Sequence, residues 1–204
     1  MKRFFSMAAV LCAISLINGV ASALEAPLDT VRNTTEEVVA RVKDEKDALR
    51  AEPAKMYGLV SEMIFPHFDF NVMSQFVLGE QWKAAEEAKR AAFVAQFRKL
   101  LVRTYAAALL EYSDQSISYS APVPQPANGR TAVVRQDISQ PSGTAMPVVY
   151  RLHNKTGAWK VFDVAVDGVS LVRTYRSSFT SILREGGIDK LIATLATKNQ
   201  EIGQ

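Results

Sequence analysis

Between residues 159 and 195 the hydrophobic period of the chain changes, and that change constrains the fold more than any other feature of the sequence. Residues 161–166 form an apolar run with strand character. The turn dipeptide Asp167-Gly168 follows. Val172, Tyr175, Phe179 and Ile182 then recur at spacings of three and four, which makes one helical face apolar. A strand that feeds straight into a helix folding back over it implies a sheet with a covered face. Whatever the chain holds belongs between that sheet and its helices.

The sheet extends upstream. Residues 131–139, 146–154 and 159–166 are strand candidates, and 116–120 alternates polar and apolar residues. Pro122, Pro124, Pro126 and Asn128-Gly129 mark a loop. Pro141-Ser142-Gly143 and Lys155-Thr156-Gly157 are hairpin punctuation. About four strands joined in this way give an antiparallel meander.

Helices precede it. Leu28, Val31, Val38, Val42 and Leu49 form the apolar stripe of a helix over 28–49, which Pro53 ends. A shorter helix over 54–65 stops at Pro66. Asp69 caps a helix over 70–78, and Gly79 is its stop. A central helix runs over 85–112, roughly 40 Å at the standard rise. Its apolar face widens after Phe93, enough to cover more than one neighbour. Two helices close the chain, 170–184 and 188–198, split by Gly186-Gly187. The expected fold class is α+β: a helical part over 24–112, a sheet over 116–167 and C-terminal helices over 169–199.

The first residues stand apart. Lys2-Arg3 form a positive n-region, 7–17 is mostly apolar, and Ala21-Ser22-Ala23 is a cleavage signal. We read 1–23 as a secretory signal peptide, followed by a single domain over 24–204. The apolar run is short of the roughly 20 residues a membrane span needs. The only cysteine, Cys12, leaves with the leader, and Leu11 before it argues against a lipid anchor. The form of the leader suits the periplasm of a Gram-negative bacterium. A domain of this size buries a core without disulfides. The full chain carries 24 basic and 21 acidic residues, a formal +3, too even for a nucleic-acid-binding face.

Catalytic chemistry is sparse in the pattern. The two histidines, His67 and His153, have no second ligand at zinc spacing. There is no phosphate-binding glycine loop and no G-x-S-x-G elbow. Asp163 and Asp167, four apart on a strand and so on one face, are the best carboxylates for a general base if that face is interior. The alternative is a turn aspartate beside one that pairs with Arg135 or Arg151. Arg173, Arg176 and Arg184 are available to anionic head groups or an acidic partner, or form a solvated helix face. The aromatic and methionine cluster from Met56 to Trp82 is either core or cavity wall.

Two long segments resemble the MlaC family, also called the Ttg2D or toluene-tolerance family. The first, residues 68–112, carries VLG before an aromatic, then F-x-x-x-F-x-x-L-L and T-Y-A-x-A-L. The second, 161–195, carries V-x-G-V-S-L and G-x-D-x-L. The leader and the order of elements agree, so the resemblance covers essentially the whole chain. It implies a curved antiparallel sheet wrapped by helices, a cone like that of nuclear transport factor 2 with added helices. It also implies a carrier rather than an enzyme: a soluble periplasmic phospholipid carrier, monomeric, with no cofactor beyond its cargo. Its implied partners are an outer-membrane lipoprotein complex and an inner-membrane ABC transporter carrying MCE domains, and the implied role is to maintain outer-membrane lipid asymmetry. Under that resemblance the expected tail lining is Phe76, Val77, Leu78, Leu101, Tyr105, Leu109, Val164, Val166, Val169, Val172, Tyr175 and Phe179. The competing readings are a cone-fold enzyme using Asp163 or Asp167, and a scaffold with a filled core.

Overall fold

A computed structural model describes residues 26–110, 115–120, 123–124, 129–139 and 143–201. The leader over 1–23, with Cys12, and the last residues of the expected 85–112 helix lie outside the described residues.

The helical part begins with α1 (Pro27–Asp44) and α2 (Lys46–Ala51). The periodicity predicts one helix over 28–49, but the backbone leaves helical geometry at Glu45, with φ −107° and ψ 13°. Val38, Val42 and Leu49 are nevertheless all buried in one core. Next come α3 (Pro53–Met63), a tight turn at Phe65–His67, α4 (Phe70–Leu78), α5 (Glu80–Ala84) and α6 (Glu87–Leu110). The short α5 has no counterpart in the expected elements.

Asp69 starts α4 and also anchors it. Its Oδ1 accepts from the Val72 N–H at 2.9 Å, which satisfies one of the free donors of the first turn. Its Oδ2 accepts from His153 Nε2 at 2.9 Å. Its own N–H donates to the Val161 carbonyl at 2.8 Å. One residue therefore fixes the start of a helix against two strands.

Six described strands form one antiparallel sheet: β1 (Ile117–Tyr119), β2 (Val123–Pro124), β3 (Thr131–Ser139), β4 (Ala145–His153), β5 (Lys160–Val166) and β6 (Val169–Ser170). The order is β1-β3-β4-β5-β6, and β2 also pairs with β3. The expected meander is present, with two short strands added. β1 and β2 pair with successive stretches of β3, Ile138 to Gln136 and Val133 to Ala132. Pro124 is tolerated there because an edge strand can spare its outward N–H. Between β5 and β6, Asp167 (φ 50°) and Gly168 (φ 79°) make a two-residue turn with both central residues at positive φ, the form whose twist matches a hairpin.

A bulge fixes how β5 divides its side chains. Arg151 pairs with Asp163 but Leu152 pairs with Val161, which leaves Phe162 as the extra residue. Val161 and Val164 join Val134, Val148 and Leu152 on a face covered by Val31 of α1. Phe162 instead packs against the helical core.

That core is the larger one. Phe93 and Phe97 of α6 are fully buried and stack at 5.5 Å, with Phe179 edge-on to both. Burial of each such ring contributes about 1.5–3 kcal/mol. Met73, Val77, Leu191 and Leu195 close around them. The last helix, α7 (Leu171–Glu201), lies along α6 and is broken at Gly186-Gly187, where Gly187 takes φ 64°. The break falls at the expected split. Phe68 packs against both clusters and is one of their points of meeting.

Candidate functional site

The strand-to-helix junction is built around Asp163. The bulge turns its side chain toward the start of α7, where it is 3% exposed. Oδ2 accepts from Ser170 Oγ at 2.7 Å, and Oδ1 accepts from the Val172 N–H at 3.1 Å. Ser170 Oγ in turn accepts from the Arg173 N–H at 3.2 Å. Arg151 Nη1 stands 3.8 Å from Oδ2. A carboxylate at a helix N-terminus is favoured by the helix dipole. Both oxygens are thus engaged in holding α7 to β5. Asp167 is not its neighbour on a strand face: it is exposed in the β5–β6 turn. Of the two arginines considered as partners, Arg151 faces Asp163, and Arg135 bonds Asp137 through Nη2 at 2.8 Å.

The twelve expected lining residues fall in three places. Val77, Leu78, Val172 and Phe179 are buried in the helical core, with Leu101, Leu109 and Tyr175 half-buried against it. Val164 and Val166 belong to the sheet cluster. Phe76, Tyr105 and Val169 are exposed, at 48%, 38% and 60%. Phe76 lies flat on Phe162, centroids 5.5 Å apart. Val169 sits on β6 opposite Val166.

Two tyrosine phenols are shifted in the fold. Although Tyr105 is partly exposed, desolvation of its covered side pushes the phenol up to about 12, and the neighbouring Tyr175, through its charge and a hydrogen bond, adds to the shift. Burial also raises the Tyr150 phenol, and Tyr119 reinforces it, against a bond from Thr35. The Tyr150 hydroxyl donates to Gln136 Oε1 at 3.3 Å. These groups stay neutral at physiological pH, so the apolar surroundings carry no phenolate.

Two of the surface grooves among the described residues border these elements. One, of about 260 Å³, runs between α4–α5 and α7 and is lined by Val77, Leu78, Glu80, Gln81, Arg176, Thr180, Leu183 and Arg184. The other, of about 330 Å³, lies between α1 and β1, against Val39, Ala40 and Tyr119. The α7 groove draws on residues that the sequence divides between unrelated stretches. The Glu80–Lys83 pair, i to i+3, was the available sign that residues 80–84 are helical. Among the described residues no group of three or more His, Cys, Asp and Glu could hold a metal ion, and no helix is long and apolar enough to cross a membrane.

The family model described as MlaC protein matches residues 32–197, from within α1 to near the end of α7. The chain belongs to the MlaC family. Among curated members of that family, it is 28% identical over 169 residues to the toluene tolerance protein ttg2D of Pseudomonas putida, spanning 82% of this chain and 77% of that one. It is 25% identical over 198 residues to the intermembrane phospholipid transport system binding protein MlaC of Haemophilus influenzae, spanning 96% and 92%. A solved phospholipid-binding protein from Ralstonia solanacearum, in complex with a phospholipid, superposes with a TM-score of 0.81 at 27% identity. The superposition covers 88% of this chain and all of that one. The MlaC assignment thus spans both layers, the helical core and the sheet, and the junction at Asp163 lies inside the matched range.

Proposed function

We propose that this protein is a phospholipid carrier of the periplasm, exported by its leader, that shuttles lipid between an outer-membrane lipoprotein complex and an inner-membrane transporter with MCE domains. One observation carries the reading: the superposition over 88% of the chain on a protein solved with a phospholipid bound. The physical need is plain. Two acyl tails hold on the order of 30 methylenes at about 0.8 kcal/mol each, so lipid does not cross water unaided. A carrier must offer an apolar interior comparable to the bilayer, from which lipid can still leave. The acyl tails occupy the region where the helical and sheet clusters meet. Leu101, Tyr105, Leu109 and Tyr175 stand on the helical side, and Val164 and Val166 on the sheet side. Neutral tyrosines in place of fixed charges favour weak head-group selectivity. Carriage of this kind requires no catalytic residue.

The test is direct. The purified full-length product, matured in the periplasm, is denatured, extracted with organic solvent and analysed by mass spectrometry. Near-stoichiometric phospholipid is expected. Protein that carries none, and that takes none from vesicles, overturns the reading.

A further inference from the structure

Arg173, Arg176 and Arg184 lie on one stripe of α7, at spacings of three and eight. All three are exposed, and none has an ion-pair partner among the described residues. Arg176 is held in place: Nη1 donates to the Phe76 carbonyl at 3.4 Å, and the guanidinium rests against Gly79. Arg176 and Arg184 border the groove between α4–α5 and α7; buried Val77 and Leu78 form its floor, and half-buried Leu183 offers an apolar side chain on its wall. The carboxylate at Glu80 does not neutralise them, because Lys83 Nζ donates to both its oxygens, at 3.0 and 3.2 Å. The result is a concave apolar strip beside an uncompensated row of guanidinium groups.

We propose that this groove docks an acidic segment of a partner protein, which sets carboxylates on the arginine stripe and an apolar side chain in the groove against Leu183, over the floor that Val77 and Leu78 form. Planar guanidinium groups pair well with carboxylates, often through two parallel bonds. The shape favours a protein over a lipid surface. A flat bilayer reaches the arginines but not the apolar strip within the groove, whereas a protruding side chain reaches both. Phe76, the large exposed apolar group beside Arg176, lies stacked on Phe162. The proposal rests on the carrier reading, since a carrier has to be recognised by what loads and unloads it.

The experiment places a photo-crosslinking residue at Gln81, on the groove, in the full-length chain expressed in its native host. Adducts are identified by peptide mass spectrometry. The expected adduct is a partner peptide with Asp or Glu flanking an apolar residue. Arg173→Glu combined with Arg184→Glu reduces it about tenfold, the scale of losing one good charge pair. Arg173→Gln with Arg184→Gln reduces it less, and lipid per protein stays at the unsubstituted level in both. Absence of an adduct, an adduct lacking carboxylates, or one indifferent to charge reversal overturns the proposal. So does sedimentation with phosphatidylglycerol vesicles that the charge reversal abolishes, because the occupant is then a lipid surface. Loss of bound lipid in the reversed variant overturns it too, by assigning the arginines to the cargo. A charge-sensitive adduct on protein that never carries lipid leaves docking standing and removes the carrier reading instead.

Discussion

Asp163 joins the sheet to α7 with both of its oxygens, so its removal acts on stability. Asp163→Ala leaves the Val172 N–H and the Ser170 hydroxyl without their acceptor in a buried place. A loss of about 2–3 kcal/mol is expected, read as a lower urea midpoint at unchanged slope. Asp163→Asn keeps one oxygen acceptor and loses less. A second residue gives a pH signature. The Tyr105 phenol is raised from 10.0 to about 12 in the folded chain. Between those values the unfolded chain has released this proton and the folded chain retains it, so stability falls as pH rises through that window. Tyr105→Phe removes the titrating group. Its unfolding temperature, followed from pH 9 to 12, should fall less steeply than that of the unsubstituted protein.

At the scale of elements, the sequence pattern placed the regular pieces well. β3 occupies 131–139 and α4 occupies 70–78, as the periodicity and the Asp69 and Gly79 signals require. The irregular pieces were hidden for physical reasons. The break at Glu45 leaves Leu49 buried in the same core as Val42, so the apolar stripe does not reveal it. α5 is five residues with none buried, too short for a period to show. The bulge at Phe162 was invisible because an apolar run reads the same with either face inward, yet it decides which side Asp163 takes. Site residues were less legible than elements, since core and cavity wall call for the same apolar side chains. Gly79 shows how one position ties elements together. It adopts φ 57° and ψ −124°, and a Cβ there would lie 3.2 Å from Arg176 Nη2. Gly79→Ala is therefore expected to cost about 1–3 kcal/mol through backbone strain. It should also displace the arginine from the α4 terminus, which calorimetry and the Gln81 cross-link would register separately.

On the scale of the whole molecule, the two apolar clusters meet at Phe68, and the carrier reading puts the cargo in the region where they meet. A ligand bound only by the folded state raises its stability by mass action, about 2.7 kcal/mol at a hundredfold excess over Kd. For a chain of this size each kcal/mol moves the unfolding temperature by about 2–4 °C. Delipidated protein should therefore melt roughly 5–10 °C below the lipid-loaded form in calorimetry. The location is tested by substitution. Leu109 is half-buried against the helical core near the end of α6, so a change there is better tolerated than one at a sealed position. Leu109→Trp takes up space expected for a tail while remaining apolar. Its delipidated form should melt near the unsubstituted delipidated protein, but added phospholipid should raise it less, and less lipid should be recovered on extraction. If loaded and delipidated protein melt together, lipid does not stabilise the fold. If the tryptophan variant binds and gains as much as the parent, Leu109 belongs to the core alone and the tails lie elsewhere between the layers.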